Sequence, residues 1–226
     1  MAGAEVAVQL HGLRGEFFAF ETPVPSLPAL STLTPTTTRF VSAVNFRNPQ
    51  NLLQAEAFGE ELGPHFAARF TGLLRVTAAG TYTLTLGADD RARLLLNGAA
   101  VVDVSAAGAY TEASARLELS VGQFLIVVEY VRESGMAELQ LSYVPPDGER
   151  QIVLPEALLQ EPPAFTTLTT AAGTFVVPGV PTMLGAVWVQ ATFTDRHCVR
   201  FANTSLMVPP VPAGDTDVGL LELLKE

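Results

Sequence analysis

Two adjacent aspartates, Asp89 and Asp90, stand in "GADDRARLLLNG" (87–98), between the alternating run "TYTLTL" and a short apolar run closed by Asn97-Gly98. Neighbouring carboxylates repel each other, and a turn that uses Asp to cap backbone N–H groups needs only one. The pair concentrates negative charge that a cation would neutralise; the alternative is a plain turn. Other chemistry is sparse. His11, His65 and His197 lie far apart and fit no metal-ligand spacing, so surface or strand-end roles are expected for them. Glu60-Glu61, and Glu16 with Asp103, are carboxylate pairs, but spacing alone does not make a glycosidase acid and base. There is no GxSxG, no phosphate loop and no Cys/His nucleophile arrangement. Asn203-Thr204-Ser205 is a formal glycosylation sequon of a kind common by chance. No enzyme is expected from this set.

The elements that must position the Asp pair are strands. "GTYTLTLG" (80–87) alternates strictly, with Tyr82, Leu84 and Leu86 on one face and Thr81, Thr83 and Thr85 on the other. "RLLLNGAAVVD" (93–103) reads as a hairpin, because Asn-Gly accepts positive φ at both central turn positions. "GEFFAF" (15–20), "FAARFTGLLRV" (66–76, broken by Gly72), "ARLELSVGQFLIVVEYV" (115–131, two strands joined at Val121-Gly122) and "AELQLSYV" (137–144) complete the set. Helices are expected only as short stretches near "PEALLQ" (155–160) and the terminal "LLELLKE". Past the proline-bearing "QEPPAF" (160–165) a second group of strands begins: "AFTTLTT", "GTFVV", "GAVWVQATF", "CVRFANTSLMV" and "DVGLLEL". A domain boundary near residue 161 follows. Trp188, Tyr110 and Phe124 are assigned to packing.

Composition agrees. Hydrophobic residues make 48% of the 226-residue chain and charged residues 16%, which suits packed β structure rather than disorder. The net charge of -10 disfavours nucleic acid and anionic membranes and is compatible with cation binding. No apolar run approaches the roughly 20 residues of a membrane span. "MAGAEVAVQLHG" lacks the regions of a signal peptide. A lone Cys198 excludes an internal disulfide and a thiolate cluster, and reads as a small apolar residue.

"GLRGEFF" (12–18), the run 66–103, "RLELSVGQFLIVVEYVRESGMAELQLSYVPPDG" (116–148) and "LPEALL" (154–159) together resemble the PA14 domain, in order and spacing. The resemblance covers residues 11–159 and implies a β-sandwich found in toxins, glycosidases, adhesins and yeast surface lectins, mostly as a carbohydrate-binding module. In the lectin members an Asp pair joined by a cis peptide holds Ca2+, and the ion holds sugar hydroxyls. Asp89 and Asp90 match that pair. The second half of the lectin site is a loop offering an Asn side chain and main-chain carbonyls. Here that loop is "RESGMA" (132–137), so the resemblance implies Glu133 in place of the Asn, with Gly135 and Ala137 as further metal ligands. Arg91 follows the pair where many relatives have Gly; it joins Asp89 and Asp90 as a carbohydrate-binding candidate, or neutralises them without a metal.

"TTAAGTFVVPGVPT" (169–182) and "VPPVPAGDTDVGLLEL" (208–223) resemble the carboxypeptidase regulatory-type domain, a transthyretin-like β-sandwich. The opening strand of that family is absent after residue 161 but matches "AGAEVAVQL" (2–10). One reading inserts PA14 in a loop of a second sandwich built from residues 1–10 plus 162–226; the other makes residues 2–10 the first strand of PA14. The first reading expects a further strand upstream of Met1, hence a longer chain. The resulting expectation is an all-β, non-catalytic carbohydrate-binding or adhesion module of an extracellular or cell-surface bacterial protein. Its cofactor would be Ca2+. Its partners would be a glycan or surface polysaccharide, or other copies or domains of a surface assembly, with no nucleic acid and no membrane insertion. The alternatives are a structural spacer or assembly subunit without ligand, and an accessory module of a glycosidase.

Overall fold

The computed structural model describes residues 3–47, 58–59, 62–106, 108–134, 136–153, 157–160, 165–178, 180, 187–195, 197, 199–202, 206–208, 218 and 221–225. The chain divides into two compact units, Gly12–Leu159 and Met1–His11 with Gln160–Glu226. Strand β1 (Glu5–Gln9) opens the chain. The larger unit then runs through β2 (Leu13–Ala19), the 3-10 turn η1 (Leu30–Thr32), β3 (Thr37–Val41), β4 (Phe66–Val76), β5 (Gly80–Asp89), β6 (Arg91–Leu96) and β7 (Ala99–Val104). It continues with β8 (Thr111–Leu119), β9 (Gly122–Arg132), β10 (Glu138–Val144), β11 (Gln151–Ile152) and β12 (Leu158–Gln160).

These strands form two antiparallel sheets, ordered β3-β2-β4-β9-β6-β7, with β12 on β4, and β11-β10-β5-β8. Side chains of both sheets share one core: Phe17, Phe70, Leu94, Ile126 and Tyr130 from the first meet Leu84, Leu86, Leu139 and Leu141 from the second. Period-2 alternation produces this layout, since every second side chain faces the partner sheet. Tyr82, Leu84 and Leu86 are buried as their alternation requires. Asn97 and Gly98 both take positive φ, 49° and 83°, and Asn97 Oδ1 accepts the Leu125 N–H at 2.8 Å.

Gly72 does not break β4, which pairs with β9 without interruption from Phe66 to Val76. A Cβ there would stand 2.6 Å from Leu13 Cδ2 and from the Leu159 carbonyl oxygen, so the glycine admits β12 and β2 rather than ending a strand. Of the short helix expected near 155–160, Leu158–Gln160 instead form β12 on β4, and residues 155–156 lie outside the described residues. The outer face of the larger sheet carries charge in one row: Glu16, Arg69, Glu129, Arg93 and Asp103 are successive cross-strand partners. Glu129 lies between Arg93 Nη2 at 2.6 Å and Arg69 Nε at 3.8 Å.

In the smaller unit, β1 lies between β13 (Phe165–Leu168) and β14 (Val187–Thr194). The sheet continues with β15 (Arg200–Ala202) and β17 (Leu224–Lys225), and β16 (Leu206–Val208) also pairs with β14. Val6, Val8, Val189 and Ala191 form its buried core. The expected single strand across 198–208 is replaced by β15 and β16, whose registers against β14 differ by one residue. Residues 173–177 are not a strand, and the terminal helix is replaced by β17. Cys198, the 203–205 sequon and Glu60-Glu61 lie outside the described residues.

Candidate functional site

Asp89 ends β5 and Asp90 fills the single step before β6, so the pair sits where the chain leaves the smaller sheet for the larger one. The peptide between them is cis. Both are buried, Asp89 at 6% exposure and Asp90 at 0%. Burial of a carboxylate is costly unless hydrogen bonds or an opposite charge meet it, and the two residues meet this cost differently.

Asp90 is saturated by main chain. Its Oδ1 accepts the Gly108 N–H at 2.6 Å, and its Oδ2 accepts those of Glu133 at 2.7 Å and Ser134 at 2.9 Å. Burial pushes the carboxyl up, but the three N–H groups and a bond from Asp89 outweigh it and hold Asp90 below the usual carboxylate range. Asp89 goes the other way. Burial, then the Asp90 charge and the hydrogen bond shared with Asp90, push it up; Glu138 adds to this and the Met136 N–H opposes it. Its Oδ1 is buried without a hydrogen-bond partner. The two neighbouring carboxyls are thus pushed in opposite directions, Asp89 up and Asp90 down.

Tyr130 lies beneath the pair, fully buried, and donates its hydroxyl to the Asp89 carbonyl. Burial, then the charges of Asp90 and Asp89, push this phenol far up, so it stays a neutral donor. Glu138, the cross-strand partner of Asp89, adds a third carboxylate to the neighbourhood. Arg91 is half-buried and turns to Glu133, with Nη1 at 2.5 Å from Oε2. His65 Nδ1 lies 3.1 Å from the Glu133 carbonyl; that oxygen only accepts, so the ring nitrogen donates. The Ala137 methyl packs on the core, leaving only its main chain for a ligand role, and Gly135 lies outside the described residues.

Gly108 from one loop, Glu133 and Ser134 from another, and Glu138 on β10 thus meet at the pair. Of the expected site residues, Asp89, Asp90, Arg91 and Glu133 come together, with Arg91 and Glu133 bound to each other. Among the described residues, no three His, Cys, Asp or Glu side chains converge as a metal on side chains alone would require. Tyr130, Glu138 and the Gly108 N–H were not singled out from the sequence. Tyr130 carries the inward parity of β9, which marks it only as core; nothing local marks Gly108. His11, expected at the surface or a strand end, lies between β1 and β2 and is buried. Glu16 and Asp103 stand four strand spacings apart in the sheet, roughly 19 Å, too far for a glycosidase acid and base.

The fold has counterparts among solved structures. An anti-sigma factor domain-containing protein is 21% identical, with a TM-score of 0.53 over 68% of this chain and 49% of that one, so the chain spans about half its length. The PA14 sugar-binding domain from an RTX adhesin is 18% identical, with a TM-score of 0.56 over 67% of this chain and 99% of that one. The Epithelial Adhesin 6 A domain of Candida glabrata, solved with Galβ1-3GlcNAc, is 12% identical, with a TM-score of 0.52 over 76% of this chain and 93% of that one. At these identities the likeness is one of fold. Among curated proteins none matches this chain. The family model of the PA14 domain matches residues 32–157 of the 226, more than half of the chain, and the protein belongs to the PA14 domain family.

Proposed function

We propose that this chain is a non-catalytic carbohydrate-binding or adhesion module of a cell-surface or extracellular protein, and that Asp89 and Asp90 hold a Ca2+ ion. The observation that carries the reading is the contrast within the pair. Asp90 accepts three main-chain N–H groups, while Asp89 keeps a buried oxygen without a partner and is pushed up by burial and by its neighbour's charge, which a cation would offset. Ca2+ takes six to eight oxygen ligands, so two carboxylates leave room for main-chain oxygens, water and ligand hydroxyls. The donor set fits the ion. Asp89 and Asp90 would hold it, with main-chain oxygens of 132–137 as the second side. In this arrangement the Glu133 carboxylate is engaged by Arg91 and is not counted among the ligands. A bound Ca2+ supplies charge and open coordination positions for vicinal sugar hydroxyls. The sugar-binding RTX adhesin domain and the adhesin solved with Galβ1-3GlcNAc share the fold and support a glycan as the ligand class.

The test is calorimetric titration with Ca2+ followed by a glycan array with and without chelator. The reading expects Ca2+ to bind, glycans to bind only in its presence, and Asp89→Asn to abolish both. Glycan binding that survives chelator would contradict the role of the ion.

A second reading has one observation in its favour. Asp90 ties Gly108 to Glu133 and Ser134 without any metal, and Arg91 with Glu133 closes the same corner. The pair would then be a loop staple in a spacer or assembly subunit, and Ca2+ would leave stability unchanged. For the smaller unit, we propose a carboxypeptidase-regulatory-like sandwich completed by β1, with PA14 inserted between Leu10 and Pro162. The support is the place of β1 between β13 and β14.

A further inference from the structure

A sheet edge is open to another chain, because one row of its N–H and C=O groups has no strand to bond to. Most edges of the larger unit are blunted. Strand β11 has two residues and β3 five, and β7 joins β6 through a bulge at Leu94/Leu95. Strand β8 is different. It ends the order β11-β10-β5-β8 and runs nine residues, Thr111–Leu119, without proline, glycine or a register shift along its pairing with β5. Its two faces differ in kind. Ala113, Ala115 and Leu117 pack on the core but are only partly buried, as is Val101 on β7, so the core is open along this side. Glu112, Ser114, Arg116 and Glu118 are exposed on the outer face.

Charges on an edge repel some strands and admit others, and their order decides which. An antiparallel pair of identical strands that keeps both cores on one side has a residue on its two-fold axis, and that residue fixes the register. With Ser114 on the axis, Glu112 of each copy stands opposite Arg116 of the other, and Thr111–Leu117 overlap. With Ala115 there, Glu112 meets Glu118; with Arg116 there, Arg116 meets itself. Leu117 on the axis also joins opposite charges, Arg116 with Glu118, but overlaps only Ala115–Leu119, and Glu118 is already bonded to Thr81. One long register is therefore selected. Arg150 holds the Glu112 carboxylate at this edge with bonds of 2.8 and 2.9 Å, while Arg116 has no ion-pair partner among the described residues. We propose that β8 pairs with β8 of a second copy of this chain, antiparallel about Ser114. The pairing joins the two smaller sheets into one, covers Ala113, Ala115 and Leu117, and gives Arg116 a carboxylate. An edge whose charges complement themselves fits an identical partner, and the inference stands apart from any glycan.

The experiment is sedimentation velocity of the full chain up to about 1 mM, at low and moderate salt. The wild type shifts from monomer to dimer with concentration, and less so in salt. Arg116→Glu and Glu112→Arg each set like charges opposite each other twice and weaken the dimer about tenfold or more. An equimolar mixture of the two variants restores it, because every arginine then faces a glutamate. Crosslinking reads the register separately, in a Cys198→Ala background. Position 114 faces itself at roughly 5 Å between Cα atoms, so Ser114→Cys forms an intermolecular disulfide on mild oxidation. Glu118→Cys, with its two copies about 27 Å apart along the strands, does not. A wild type that stays monomeric at the highest concentration, a mixture that associates no better than its components, or a Glu118→Cys crosslink as efficient as that of Ser114→Cys overturns the proposal.

Discussion

Asp89 and Asp90 are adjacent in the chain but differ in chemistry. Asp90 is a structural acceptor whose two oxygens receive three main-chain N–H groups; Asp89 is a carboxyl pushed toward its protonated form. Substitutions should separate them. Asp90→Asn replaces one acceptor oxygen with a donor NH2 facing an N–H, and is expected to lower stability by about 2 kcal/mol in denaturant unfolding, with or without calcium. Asp89→Asn resembles the protonated carboxyl and relieves the repulsion between the pair. In chelator at neutral pH it is therefore expected to melt at or above the wild-type temperature. The pair stood out in the sequence because two carboxylates side by side exceed what a turn requires, and the fold buries both of them. The division of labour was not legible. It depends on Gly108, Glu133 and Ser134 arriving from two other loops, and a one-dimensional pattern carries no signal for that. Tyr110 illustrates the same limit: it reads as a packing residue, and only the fold shows that it packs on Gly87 and Arg47 and bonds to Glu112.

Among the elements, strands with one buried face announced themselves by alternation, as β5 and β10 do, and Asn97-Gly98 set the β6–β7 turn. The misreadings occurred where long-range pairing decides. β12 has a locally helical composition but pairs with β4, and Gly72 marks their close approach rather than a break. Gly72→Ala should therefore cost about 2 kcal/mol, since a Cβ must displace Leu13 or the β12 backbone. The charged row on the outer face makes a similar case. Glu129→Ala leaves Arg69 and Arg93 facing each other over a buried position and should cost about 3 kcal/mol by denaturant unfolding. On the smaller sheet, the hydrogen bond from Arg150 holds Glu112 below the usual range against burial. A depressed carboxyl contributes stability above its unfolded pKa and loses it as pH falls through the folded one. The melting-temperature gap between wild type and Arg150→Ala should thus be widest near neutral pH and close as the pH falls below the usual carboxylate range.

For the molecule as a whole, β1 lies between β13 and β14 in the smaller unit, so deleting residues 1–10 removes an interior strand of that sheet. Hydrogen exchange on the truncated chain should show protection lost across 165–202 and retained across 66–144. The composition indicated an all-β molecule, and the strand spacing placed most of the larger sandwich. The smaller unit was harder to read, because its short strands β15, β16 and β17 carry too few residues for alternation to register. Whole-molecule stability also reports on the Asp pair, since a ligand that binds only the folded state must raise the melting temperature. The measurement that tests the account most directly is thermal unfolding of wild type and Asp89→Asn, each in Ca2+ and in chelator. With free Ca2+ about a hundredfold above Kd, the account predicts a wild-type rise of roughly 5–10 °C and no rise in the variant. Identical wild-type melting in Ca2+ and in chelator would contradict it.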